Sequence, residues 1–163
     1  MFKQISKLAL SSVVVAALLL SGCGGGTGTT AQGGSITINP SSIAWNITAG
    51  ACGGPFNYHE VVITVLNSNK VPVANAGLTV TLDLANATYS GGPAMTLYDD
   101  PTWISGSFTP PTTAPVGASY ATSTGGDGTK RLIVGVDLGC TYKGNLNVYS
   151  GALFQSVNIA ITG

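Results

Sequence analysis

From Ser35 onward, apolar and polar residues alternate with a period of two, and β-branched side chains dominate the apolar positions. The alternating stretches are Ser35–Asn39, Ser42–Thr48, Glu60–Asn67, Leu78–Leu84, Ser119–Thr124, Lys130–Leu138, Gly144–Ser150 and Leu153–Thr162. That period places successive side chains on opposite faces of a strand, one face for a core and one for solvent. The first two stretches form a strand pair or one strand broken at Pro40; Trp45 shares a face with Ile43 and Ile47 and is expected in the core. Turn residues separate the runs: Asn-Ser-Asn at 67–69, Gly-Gly-Asp-Gly at 125–128, Ser-Gly at 150–151. No window beyond the N-terminus has the spacing of an amphipathic helix. About seven short strands punctuated this way predict an all-β chain folded as an Ig-like β-sandwich.

Residues 85–118 break the pattern. They hold Gly91, Gly92, Pro93, Pro101, Pro110, Pro111 and Pro115, with Met95–Asp100 as a possible short extra strand. Connections longer than about 12–15 residues are uncommon and often functional. A binding feature is therefore sought first in this loop.

The N-terminus has a different design. Lys3 and Lys7 precede an apolar run, Leu8–Leu20, interrupted only by Ser11 and Ser12. A basic segment followed by about 7–15 apolar residues is the layout of a secretory signal. The run is short of the ~20 residues that span a bilayer. It closes on Leu20-Ser21-Gly22-Cys23. These four residues resemble the lipobox of bacterial lipoproteins, whose cysteine is acylated after the signal is cut before it. The resemblance implies a lipid anchor on Cys23 and a signal peptide over 1–22. Each buried acyl CH₂ contributes ~0.8 kcal/mol, so several chains hold a protein durably. Gly24 stands where an Asp would mark retention at the inner membrane in enterobacterial lipoproteins. The implied destination is the outer membrane, on its periplasmic or surface face. The following "GGGTGTTAQGG" (Gly24–Gly34) reads as a Gly-rich tether with an r.m.s. span of about 20 Å. The folded domain is expected over 35–163.

Composition narrows the function classes. Charged residues make up 7% of the 163-residue chain. Beyond the two N-terminal lysines, four basic residues face six acidic ones, with no basic stripe. That balance gives nucleic-acid binding almost no electrostatic support.

The stretch "VITVLNSNKVPVANAGLTVTLDL" (Val62–Leu84) resembles the bacterial Ig-like domains of the invasin and intimin type, often called Big-1. Their signature is strand, Asp-x-x-Gly-x-Pro-Val turn, strand. Here Asn67 stands for the Asp and Lys70 for the Gly, while Pro72-Val73 fits. "ATSTGGDGTKRLIVGV" (Ala121–Val136) is similar to the family's hairpin before a strand, and "GNLNVYSGALFQSVNIAIT" to its closing strand pair. The resemblance implies a non-catalytic structural, adhesive or assembly module.

With Cys23 lipidated, Cys52 and Cys140 form an even pair in an exported chain, which favours a disulfide. Four alternating strands separate them, and an even number returns the chain to the same end of a sandwich. The count holds only if Met95–Asp100 is not a full core strand. Free thiols, or a metal pair with His59, are the alternatives.

Little points to catalysis. His59, the single histidine, lies near a strand start and reads as a loop or strand-edge residue rather than a general base or metal ligand. No G-x-S-x-G or C-x-x-C-H is present. No catalytic residue, metal or cofactor is assigned. "GGDGTK" (Gly125–Lys130) lacks phosphate-loop spacing and reads as a hairpin turn. Asp99 and Asp100 form a solvated turn before Pro101, or contribute to a Ca²⁺ site that needs six to eight oxygens in all. Trp103, between Thr102 and Ile104, is the better exposed aromatic for ligand contact, with Tyr98, Asp99 and Asp100 beside it. The expected partners are the membrane, through Cys23, and a protein or glycan at the surface. A carbohydrate-binding module using loop 85–118 is the alternative function.

Overall fold

The computed structural model describes residues 33–46, 56–83, 95–105, 109–137 and 142–162. Nine strands follow in chain order: β1 (Ser35–Asn39), β2 (Ser42–Asn46), β3 (Phe56–Leu66), β4 (Gly77–Asp83), β5 (Met95–Tyr98), β6 (Ser119–Ser123), β7 (Thr129–Asp137), β8 (Tyr142–Ser150) and β9 (Leu153–Thr162). They make two sheets, ordered β1-β3-β7-β5 and β2-β9-β8-β4-β6. In immunoglobulin lettering the first order is A-B-E-D, and β9-β8-β4 is G-F-C. The chain is an all-β, Ig-like sandwich.

The alternation decides which face each strand buries. Val61, Ile63 and Val65 of β3 point inward, as do Leu78, Val80 and Leu82 of β4. Leu146 and Val148 of β8 and Val157, Ile159 and Ile161 of β9 complete the opposing layer. Full burial of such a side chain stabilises by about 1.5–3 kcal/mol, so this one continuous core carries the fold.

Two features depart from the sequence reading, and a third settles an option it left open. The two stretches around Pro40 are separate strands that do not pair with each other: β1 joins β3 antiparallel, and β2 joins β9 parallel in the other sheet. One strand serves each sheet because Pro40, which follows a cis bond, lacks the N–H a continuous ladder needs. The Trp45 side chain lies outside the described residues. Secondly, β3 begins at Phe56, so His59 lies inside a strand, in register with Val134, rather than near its start. Thirdly, Met95–Tyr98 is a true strand pairing with β7. These additions raise the count from about seven to nine among the described residues.

The turn at 125–128 also differs from a simple hairpin. It joins β6 of one sheet to β7 of the other, so it arches over the sandwich end. There it meets the Asn67–Val73 turn. The Thr124 hydroxyl donates to the Val73 carbonyl at 2.7 Å and accepts from Ala76 N at 2.9 Å. Gly128, at φ +77°, lies so close to Pro72 that a Cβ would fall 2.4 Å from the proline Cβ. Asn67 Oδ1 accepts from the amides of Asn69 and Val71, and Lys70 adopts φ +62°. That is the left-handed region glycine favours.

These ladders fix the two ends. Ser35 pairs with Leu66, Gly77 with Ser123, and Tyr149 with Thr79, so the chain enters the sandwich at the end carrying the 67–76, 124–128 and 150–152 turns. Phe56 pairs with Asp137 and Asn145 with Asp83 at the opposite end.

Candidate functional site

The long connection was the place to look, and its described part, 95–105 and 109–118, forms a strap across the first sheet. The reason lies in β7. Its residues Leu132 to Asp137 are all buried, although only alternate ones can face the core. Ile133 is fully buried yet lies outside the core cluster, in register with Glu60 and Tyr98 on the outer face. Something must cover that face, and the strap does so.

Trp103 is central to the cover. It is only 6% exposed, and its indole Nε1 donates to the Thr109 carbonyl at 2.9 Å. The Arg131 guanidinium lies 6.0 Å from its ring and donates to its carbonyl oxygen. Arg131 Nε in turn sits 2.5 Å from Glu60 Oε1. The expectation of an exposed stacking aromatic fails here, because the ring faces the sheet. Its neighbour Ile104 is the exposed one, at 75%.

Asp100 is a clasp. The residue is 3% exposed, and each carboxylate oxygen takes two hydrogen bonds. Oδ1 accepts from Thr102 N at 2.9 Å and Thr102 Oγ1 at 2.6 Å. Oδ2 accepts from Thr112 N at 2.7 Å and Thr112 Oγ1 at 2.9 Å. The Thr102 hydroxyl first, and the other Thr102 and Thr112 donors with it, hold its carboxyl well below the ordinary carboxylate range against the opposing effect of burial. With these lone pairs occupied, Asp100 is neither the solvated turn nor the Ca²⁺ ligand of the sequence reading.

Asp99 points the other way. Its Oδ2 accepts from Tyr120 Oη at 2.5 Å and from Lys130 Nζ at 2.6 Å. Tyr120 belongs to β6 and Lys130 to β7, so this group laces the two sheets along one side. Accepting its proton raises the Tyr120 pKa, and burial adds to the rise. Tyr98 packs edge-on against Tyr58, with centroids 5.9 Å apart. Burial, then the Tyr98 phenol, raises the Tyr58 pKa, while burial lowers that of His59.

The structure thus brings the four suspected contact residues into one region and employs each in packing. Sequence reasoning missed Thr102, Thr112, Arg131 and Glu60. Two signals pointed toward them: Asp-Pro-Thr at 100–102 is a turn-initiating Asx motif, and the unbroken run Leu132–Val136 calls for burial on both faces. Among the described residues no three His, Cys, Asp or Glu converge as metal ligands. Cys23, Cys52 and Cys140 lie outside the described residues.

No family model matches the chain, and no curated protein matches it. Among solved structures it is similar to WR4, a C. elegans MSP family member, at TM-score 0.39 and 8% identity, over 78% of this chain and 97% of that one. It is similar to the ASH/PapD-like domain 7 of human CEP192 at TM-score 0.39 and 7% identity, over 79% and 84% of the two chains.

Proposed function

We infer that this chain is an exported lipoprotein, anchored to the outer membrane through Cys23, whose sandwich is a non-catalytic structural, adhesive or assembly module. The observation that carries the non-catalytic part is the strap. The long connection, where a binding loop was expected, spends Asp99 on lacing the two sheets, Asp100 on clasping the strap itself and the Trp103 indole on covering the first sheet. That arrangement also takes the proposed stacking face away from the glycan-binding alternative.

A disulfide between Cys52 and Cys140 completes the reading, supported by register. Counting strands no longer supports it, because β5 makes five between the cysteines. β5 and β6 run the same way, however, since β5 is antiparallel to β7 and the tight 124–128 turn reverses β6 into β7. The strap supplies the missing reversal. Phe56 stands directly across from Asp137, with Cys52 four residues before one and Cys140 three after the other. At about 3.3–3.6 Å per residue, those lengths of chain permit the two cysteines to meet.

Intact mass of the protein extracted from membranes, before and after reduction and alkylation, tests both parts. Acyl mass on a chain beginning at Cys23, with two thiols reactive only after reduction, is expected.

A further inference from the structure

Three of the four large apolar side chains exposed among the described residues sit at one end of the sandwich. They are Val71 at 54%, Tyr149 at 41% and Phe154 at 55%. Val71 tops the β3–β4 turn. Tyr149 and Phe154 flank the β8–β9 turn as a cross-strand pair, with ring centroids 5.0 Å apart and planes tilted by 37°. The ring pair steadies its hairpin, but that role does not require two rings left in solvent.

This is also the end at which the chain enters. Ser35 lies across from Leu66, and Lys70 Nζ reaches Ser35 Oγ at 3.5 Å. Nine residues separate Cys23 from Gly33. Fully extended, they hold this end within about 35 Å of the acylated cysteine. The opposite end is another ~30 Å away, the length of a nine- or ten-residue strand.

We propose that the Val71, Tyr149 and Phe154 end is a peripheral docking surface for the bilayer that carries the anchor. The proposal rests on the lipoprotein reading above. Aromatic side chains with an apolar body favour the boundary between headgroups and acyl chains. Weak apolar insertion becomes effective when a covalent anchor already confines the domain there. Formal charges on the two longer turns, Lys70 and Asp127, cancel, so the contact is apolar rather than electrostatic. Docking presents the Phe56/Asp137 end away from the membrane.

The test uses the full chain, purified from membranes, checked for acyl mass and placed in vesicles of phosphatidylethanolamine and phosphatidylglycerol. Phe154 is replaced by p-benzoylphenylalanine in one sample and Asn145, at the opposite end, in another. Irradiation followed by mass spectrometry should give lipid adducts at 154 and few at 145. Adding Val71→Ser and Tyr149→Ser to the 154 reporter should lower the yield about tenfold, equivalent to ~1.4 kcal/mol. Val71→Ser alone, in an exposed turn, should lower it in the same direction. Equal adducts at both positions, or a yield indifferent to the serine variants, would overturn docking while leaving the anchor intact. A chain without acyl mass would remove the anchor and the docking with it.

Discussion

Gly128 shows how much a single position decides. It combines a left-handed backbone with an approach to Pro72 that leaves no room for a methyl group. Gly128→Ala should cost about 2–4 kcal/mol, from the backbone penalty and the overpacking together. Gly126, two residues earlier, has nothing within 4 Å of its Cβ position. Gly126→Ala should stay within about 0.5 kcal/mol, and paired urea titrations would show the contrast. Lys70 offers the reverse case. Lys70→Gly relieves a positive φ and should stabilise by up to ~1 kcal/mol, after the entropy gained by the unfolded chain is deducted. The sequence already singled out Lys70 as standing where the Big-1 signature has glycine. It could not show that the Asn67 turn and the 125–128 turn touch, because that contact is made across 50-odd residues by Thr124 and Gly128.

At the scale of elements, the strap makes predictions that a ligand-binding loop would not. Trp103→Ala should destabilise by about 3–5 kcal/mol, as for other buried tryptophans. Its effect should appear in thermal melting rather than in binding alone. Asp100 links the strap to pH. Its folded pKa is depressed, so its contribution is present above the ordinary carboxylate range and is lost as pH falls through that range toward the folded value. His59 acts in a higher window. Burial lowers its pKa, the unfolded chain takes the proton more readily, and stability falls as pH drops below about 6.5. Asp100→Asn should flatten the loss below about pH 4 and leave the step near pH 6 unchanged, while His59→Gln should do the opposite. Melting temperatures from pH 3 to 8 separate the two. The strands themselves were legible because period-two alternation is a local signal. The strap was not, since residues such as Trp103 and Asp100 look the same in sequence whether they face solvent or the outer side of β7. Only the run Leu132–Val136, apolar on both parities, hinted that a second layer covered that sheet.

For the whole molecule, the central claim is an Ig-like sandwich held to a membrane by Cys23 and stapled near its opposite end. A Cys52–Cys140 bridge would close a loop long enough to contribute roughly 4–5 kcal/mol in the chain-entropy description. A reducing agent should therefore lower the melting temperature appreciably in the protein as isolated, and leave a Cys52→Ser, Cys140→Ser variant unmoved. The strand order that sets Phe56 across from Asp137 was only partly legible. Counting strands along the sequence assumes that every connection reverses the chain, whereas the strap between β5 and β6 returns it without adding a strand. The most direct measurement is the intact mass of the protein extracted from its native membrane, taken with and without reduction and alkylation. The account predicts a chain starting at Cys23, carrying acyl chains, whose two remaining thiols are alkylated only after reduction. A chain that retains residues 1–22, or begins elsewhere without lipid, would contradict the anchor, and two thiols alkylated without reduction would contradict the staple.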